Sequence, residues 1–201
     1  MTTTRDLVLA RVRRNQPAWR ELPELPSFAR RAEGRAAAFA AALKRMGGTF
    51  VAAPAGALDA VVRARFPDAR VVCSATPEVE GTRSIAAVRD PRELEDVDVG
   101  VVRAAFGVAE TGSVWLSERE LVVNAIAFLS QHLVVLLDPD AIVADLHETY
   151  RAPGFREARY AVLMTGPSAT ADIEGVLIRG AQGIRSLTVI AAPAPADAGG
   201  R

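Results

Sequence analysis

Apolar positions along the chain follow two spacings. Across 27–46 they recur at helical intervals (Phe28, Ala32, Ala36, Phe39, Leu43 and Met46), which predicts a helix with Ser27 as N-cap and Gly47-Gly48 as its stop. A second helix is expected over 57–66, ended by Pro67, and a third from Pro139-Asp140 to about Tyr150. Short aliphatic and β-branched runs at 49–53, 70–74, 97–105, 133–137, 160–164 and 187–191 predict strands. Further strands are read at 84–88 and 113–116, while 121–129 fits strand or helix equally. Helices alternating with strands across short connections give an α/β fold with a mostly parallel sheet. Before it, residues 3–14 set Leu7, Val8 and Val12 among arginines as a short amphipathic helix, and Pro17, Pro23 and Pro26 mark a spacer. The division is therefore an N-terminal helix and proline-rich spacer (1–26), an α/β domain (27–191) and a small, proline- and glycine-rich tail expected to be disordered (192–201).

Composition narrows the classes of function. A chain of 201 residues suits one domain with an appendage. Its 24 basic and 24 acidic residues cancel, which argues against a nucleic-acid binder. Of the basic residues only Lys44 is a lysine, a bias shared with the abundant alanine and so not by itself a binding site. One cysteine, Cys73, excludes an internal disulfide and a self-contained all-cysteine cluster, and no histidine or cysteine stands at ligand spacing to another, so no metal site is predicted. No apolar run reaches membrane-spanning length and no secretory signal is visible, so a soluble cytoplasmic protein without a membrane span is expected.

Two segments carry candidate chemistry. The first, Gly107-Val108-Ala109-Glu110-Thr111-Gly112-Ser113, lies between strand candidates. Its small residues would let backbone approach a ligand, Thr111 and Ser113 add hydroxyls, and Glu110 is a carboxylate in an apolar surround. The alternative is a hairpin turn whose glycines supply positive φ. The second runs from Thr165 through Gly166, Pro167, Ser168 and Thr170 to Asp172 and Glu174, and would open a short helix capped by Ser168 or Thr170. Plain helix capping is the alternative there. Neither has P-loop or dinucleotide-fingerprint spacing. His132, at the entrance of the 133–137 strand, is the better of two histidines for proton chemistry; His147 reads as a helix-surface or satisfied core residue.

In order, these strings resemble the lactate utilisation protein C (LutC) family, the LUD domain, over about 97–190. The likeness rests on DVGVVRAAFGVAETGSVWLS, SQHLVVLLDPDAIVADL and VLMTGPSATADIEGVLIRGAQGIRSLTVI. The resemblance implies a three-layer α/β sandwich of the kind shared by ribose-5-phosphate isomerase, glucosamine-6-phosphate deaminase and CoA transferases (NagB/RpiA/CoA-transferase-like). It implies a non-redox, cluster-free component of a multi-subunit system oxidising L-lactate to pyruvate. No cofactor would be bound by this chain, and the iron–sulfur clusters would sit in two cysteine-rich partner subunits. The family's Pro-Pro-x-His run reads Leu129-Ser130-Gln131-His132 here, and its Gly-Val-His-Gly-Pro reads Gly180-Ala181-Gln182-Gly183-Ile184, without the histidine and proline. The alternative is a free-standing enzyme or a binding module for a small anionic metabolite, nucleotide or CoA derivative. The expected site is one pocket: Glu110 and His132 as catalytic residues, and Gly107, Thr111, Gly112, Ser113, Gly166, Ser168, Thr170, Asp172 and Glu174 as ligand-binding residues.

Overall fold

The structure, a computed structural model, describes residues 3–24, 26, 34–54, 56–172 and 174–195. Helix α1 (Thr4–Arg14) is closed by a Thr3/Asp6 capping box and buries none of its residues. The long helix expected over 27–46 is described from Gly34 on, so Ser27 and Phe28 lie outside the described residues. Its described part, α2 (Arg35–Arg45), is alanine-rich and buries Phe39, Ala42 and Leu43, three positions that share one face. The Gly47 amide donates to the Lys44 carbonyl and the Gly48 amide to the Leu43 carbonyl, the paired bonds of a left-handed helix stop, with Gly47 at φ +89°.

The chain continues through β1 (Thr49–Ala52), α3 (Leu58–Arg65), β2 (Val72–Ser74), β3 (Arg83–Ser84) and β4 (Val99–Arg103). Then come β5 (Phe106–Val108), β6 (Ser113–Ser117), α4 (Glu118–Leu121), α5 (Ile126–Leu129) and β7 (His132–Leu137). The last elements are β8 (Ile142–Val143), α6 (Leu146–Arg151), α7 (Pro153–Glu157), β9 (Ala161–Met164), β10 (Ala169–Thr170), β11 (Ile178–Arg179) and β12 (Ser186–Ala191).

Six strands form a wholly parallel sheet in the order β1-β12-β7-β4-β2-β3. Alternate residues of its central strands face opposite sides, and both sides are covered. Val99, Val101, Val134, Leu136 and Ile190 meet Val62 of α3. Val102, Leu133, Val135, Leu137, Leu187 and Val189 share the other core with Phe39 and Leu43 of α2 and Ile126 of α5, together with Val114 and Leu116 of β6. Each such side chain stabilises the fold by about 1.5–3 kcal/mol. β6 belongs to a second sheet, β8-β5-β6-β9, in which only the β5–β8 pair is parallel. The expected α/β fold with a mostly parallel central sheet flanked by helices is the one observed.

Three local expectations are corrected. The helix predicted from Pro139 to Tyr150 is broken: a short 3-10 turn (Pro139–Ala141) leads into β8, whose Ile142 and Val143 pair with Gly107 and Val108. Asp145, not Asp140, then caps α6 by accepting the Glu148 amide at 2.9 Å. No helix opens at Ser168–Thr170, because Ala169 and Thr170 pair with β11 instead. The strand read at 84–88 stops at Ser84 and becomes a 3-10 turn over Ile85–Ala87. The segment left open at 121–129 is helical at both ends, in α4 and α5. The Gly107 motif is a hairpin: Gly107 and Val108 lie in β5, and the Gly112 amide closes the turn onto the Val108 carbonyl at 2.8 Å. Of the expected tail, Ala192 is buried and its amide donates to the Leu137 carbonyl; residues 196–201 lie outside the described residues.

Candidate functional site

Open parallel sheets place ligands beyond the carboxyl ends of their strands. Here those ends bound a crevice of about 580 Å³. Thr76 and Glu78 come from the segment after β2, Arg103 from the end of β4, Asp138 from the end of β7, and Arg119 and Glu120 from α4. Arg103 organises it. Its Nε donates to Glu78 Oε2 at 2.5 Å, its Nη2 to Glu78 Oε1, and its Nη1 to the Ala192 carbonyl at 3.0 Å. Thr76 Oγ1 also donates to Glu78, at 2.9 Å. Burial pushes the Glu78 carboxyl up, but the Arg103 and Thr76 bonds outweigh it and hold the group below its usual range. Asp138 accepts the Asp140 and Ala194 amides, both at 3.0 Å, tying the segment after β12 across the crevice. Glu120 is committed to the Ser117 amide and hydroxyl, at 2.7 and 2.6 Å. No histidine or cysteine lines this crevice. Its chemistry is that of a guanidinium fork that receives a carboxylate, not of a proton relay.

The residues singled out in the sequence sit elsewhere. Thr111, Ser113 and Thr165 form a chain of hydroxyls, Thr111 to Ser113 at 2.7 Å and Ser113 on to Thr165, which joins the two motifs. The glycines beside them are packing devices. A β-carbon on Gly166 would stand 2.3 Å from the Met46 carbonyl oxygen, and one on Gly112 would strike the backbone of Leu43; both have φ +71°. Both loops therefore rest on the end of α2. Glu110 Oε2 accepts the Leu146 amide at 3.3 Å, at the start of α6. Ser168 is held by backbone bonds to Ile184 and Gly180. Thr170 Oγ1 donates to Asp172 Oδ2 at 2.8 Å, and Asp172 and Glu174 are exposed. His132 stands at the amino end of β7, in a separate cavity. Of the two family positions that differ here, Gln182 is exposed and Ile184 is buried.

The LUD domain family matches residues 40–191. The chain belongs to the LUD domain family. Its fold resembles a crystal structure of a DUF162 family protein from Deinococcus radiodurans, with a TM-score of 0.60 at 19% identity, covering 78% of this chain and 95% of the other. It is also 32% identical over 101 residues to "Lactate utilization protein C" of Deinococcus radiodurans. That match spans 49% of this chain and about half (48%) of the relative. Within the LUD match lie both glycine motifs, the hydroxyl chain and the Arg103–Glu78 pair, while Ala194 and Pro195 of the crevice lie just beyond it. Arg103, Glu78 and Asp138 escape a motif search because they are far apart in sequence; the signal they do carry is a charged residue at or just beyond a predicted strand end. Among the described residues no three histidine, cysteine or carboxylate groups converge as a metal site, and no helix is long and apolar enough to cross a membrane. Cys73 is buried in β2. A cysteine-held iron–sulfur cluster needs several thiolates, so the donor set of this LUD chain does not fit one.

Proposed function

We propose that this LUD protein is a cluster-free component of a cytoplasmic, multi-subunit iron–sulfur system that oxidises L-lactate to pyruvate. The observation that carries the reading is the 32% identity to a protein named lactate utilization protein C. The crevice supports it. Lactate and pyruvate each bear one carboxylate, the group that the Arg103 fork is shaped to take, in exchange for Glu78. Redox chemistry would reside in two cysteine-rich partners, and this chain would supply the pocket and a docking surface.

Deleting the gene tests the role. The expected result is loss of growth on L-lactate, restored by the wild-type chain and weakly by Arg103→Met, with two cysteine-rich iron–sulfur proteins co-purifying. Normal growth on L-lactate together with a chain that purifies alone from cells expressing those proteins overturns it. The forked, partly buried Arg103 also favours a second reading, a free-standing module for a small anionic metabolite. Binding of a carboxylate by the isolated chain, without any effect of deletion on lactate growth, would select that reading.

A further inference from the structure

At the amino ends of the parallel strands, across the sheet from Arg103, a second cavity of about 420 Å³ opens between the end of α3 and the starts of β4, β7 and β12. Arg65, Phe66, Asp98, Gln131, His132 and Arg185 line it. Arg65 is fixed by uncharged acceptors: its Nε donates to Thr188 Oγ1 at 3.1 Å and its Nη2 to Thr49 Oγ1 at 3.2 Å. The backbone of Arg185 is pinned by its amide, which donates to the Gln131 carbonyl at 2.7 Å. Among the described residues neither guanidinium has a carboxylate within 4.0 Å. The acids of the cavity do not answer them. Asp98 Oδ2 accepts the amides of Arg70 and Val71, at 2.7 and 2.9 Å, and Asp68 stands on the exposed rim. The His132 ring lies against Phe66, with centroids 4.9 Å apart, and its Nδ1 is 2.7 Å from Ser186 Oγ.

We propose that this cavity binds a small dianionic oxyanion of the phosphate-monoester class, held by Arg65 and Arg185 beside His132. Two cations with no carboxylate within 4.0 Å among the described residues share one concave site, and a ligand with two negative charges can pair with both, where a monocarboxylate pairs with one. Guanidinium forks match phosphate oxygens, and the cavity has the volume of a small-ligand site with Phe66 as an apolar wall. Binding is coupled to a proton. Burial and the Arg185 and Arg65 charges hold the His132 pKa below its usual value, against the pull of Asp98. An anion between the arginines offsets their charges, so the His132 pKa rises on binding and affinity increases as pH falls. The inference does not rest on the lactate reading, because the two sites lie at opposite ends of the strands.

The test is a titration of the full chain with sodium sulfate, which keeps both charges at all working pH values, and with inorganic phosphate, against sodium chloride at equal ionic strength. The readout is the ring nitrogens of the histidines by NMR. The chain has two histidines, so His132→Gln assigns the signals. Saturable movement of the His132 signals toward the imidazolium position, with His147 unmoved, is the expected result. Arg185→Gln, at an exposed side chain, should weaken binding about tenfold or more through loss of a charge-assisted contact. His132 signals that follow chloride and sulfate alike overturn the proposal, as does equal affinity in folded Arg185→Gln. The wild-type titration decides alone if that variant does not fold.

Discussion

Gly112 approaches Leu43 so closely that a β-carbon on it would lie 2.2 Å from the Leu43 amide nitrogen. The hairpin between β5 and β6 and the end of α2 are thus in backbone contact, and only the absence of a side chain permits it. Gly112→Ala should cost about 3 kcal/mol or more, since backbone must move on both sides. Gly56→Ala is the control: its φ of +77° is equally left-handed, but nothing lies within 4 Å of the added carbon. That variant should lose about 1 kcal/mol, the conformational cost alone. Urea unfolding of the two proteins checks the difference.

Breaking the crevice ion pair should show in the acid limb of stability. The Glu78 carboxyl titrates below its usual range in the folded chain. Its contribution is therefore present above the ordinary glutamate value of about 4.3 and is lost as pH falls through the folded value. Glu78→Gln should be less stable than wild type by about 1–2 kcal/mol at neutral pH, the worth of charge-assisted bonds in a partly solvated pair. The gap should close on acidification, as followed by denaturant unfolding between neutral and acid pH.

His132 works in the opposite sense to a salt-bridged histidine. Its folded pKa is depressed, so below the ordinary value of about 6.5 the unfolded chain takes a proton that the folded chain resists. In anion-free buffer, stability should decline as pH drops from about 7 toward the folded value. His132→Gln should flatten that decline; an unchanged slope in the variant would count against the assigned burial.

Val122 stores backbone strain. It has φ 60° and ψ −54°, and the Val123 amide reaches back to the Leu121 carbonyl at 2.6 Å, a γ-turn of the rare hand, at a β-branched residue. The residue is 53% exposed and gives little packing in return. Val122→Gly should raise stability by about 1 kcal/mol. Thermal melting of the variant gives the sign directly.

The strands of the central sheet were legible because burial on both faces writes them as unbroken apolar runs, of which Leu133 to Leu137 is the plainest. The end of α2 was legible because Gly47-Gly48 is a local stop. The region after Pro139 was not: Asp140 and Asp145 are both good caps, and the choice falls to pairing of Ile142 and Val143 with β5, a distant segment. The glycines of both motifs stood out, but a sequence shows the glycine and not the backbone it approaches, so their packing on Leu43 and Met46 was hidden. The crevice was hidden for a related reason. Glu78, Arg103 and Asp138 are ordinary charged residues until the strand order places their strand ends side by side.

Helix α1 carries its own cap, ends in its own basic turn and buries no residue. Eleven residues make a marginal helix in water, and this one fully buries none of its residues. Its amides should therefore exchange with solvent at rates set by local fraying, insensitive to changes that raise or lower the stability of the sheet. In hydrogen exchange the molecule would read as two energetic bodies, a cooperative α/β core and a helix that opens and closes on its own schedule.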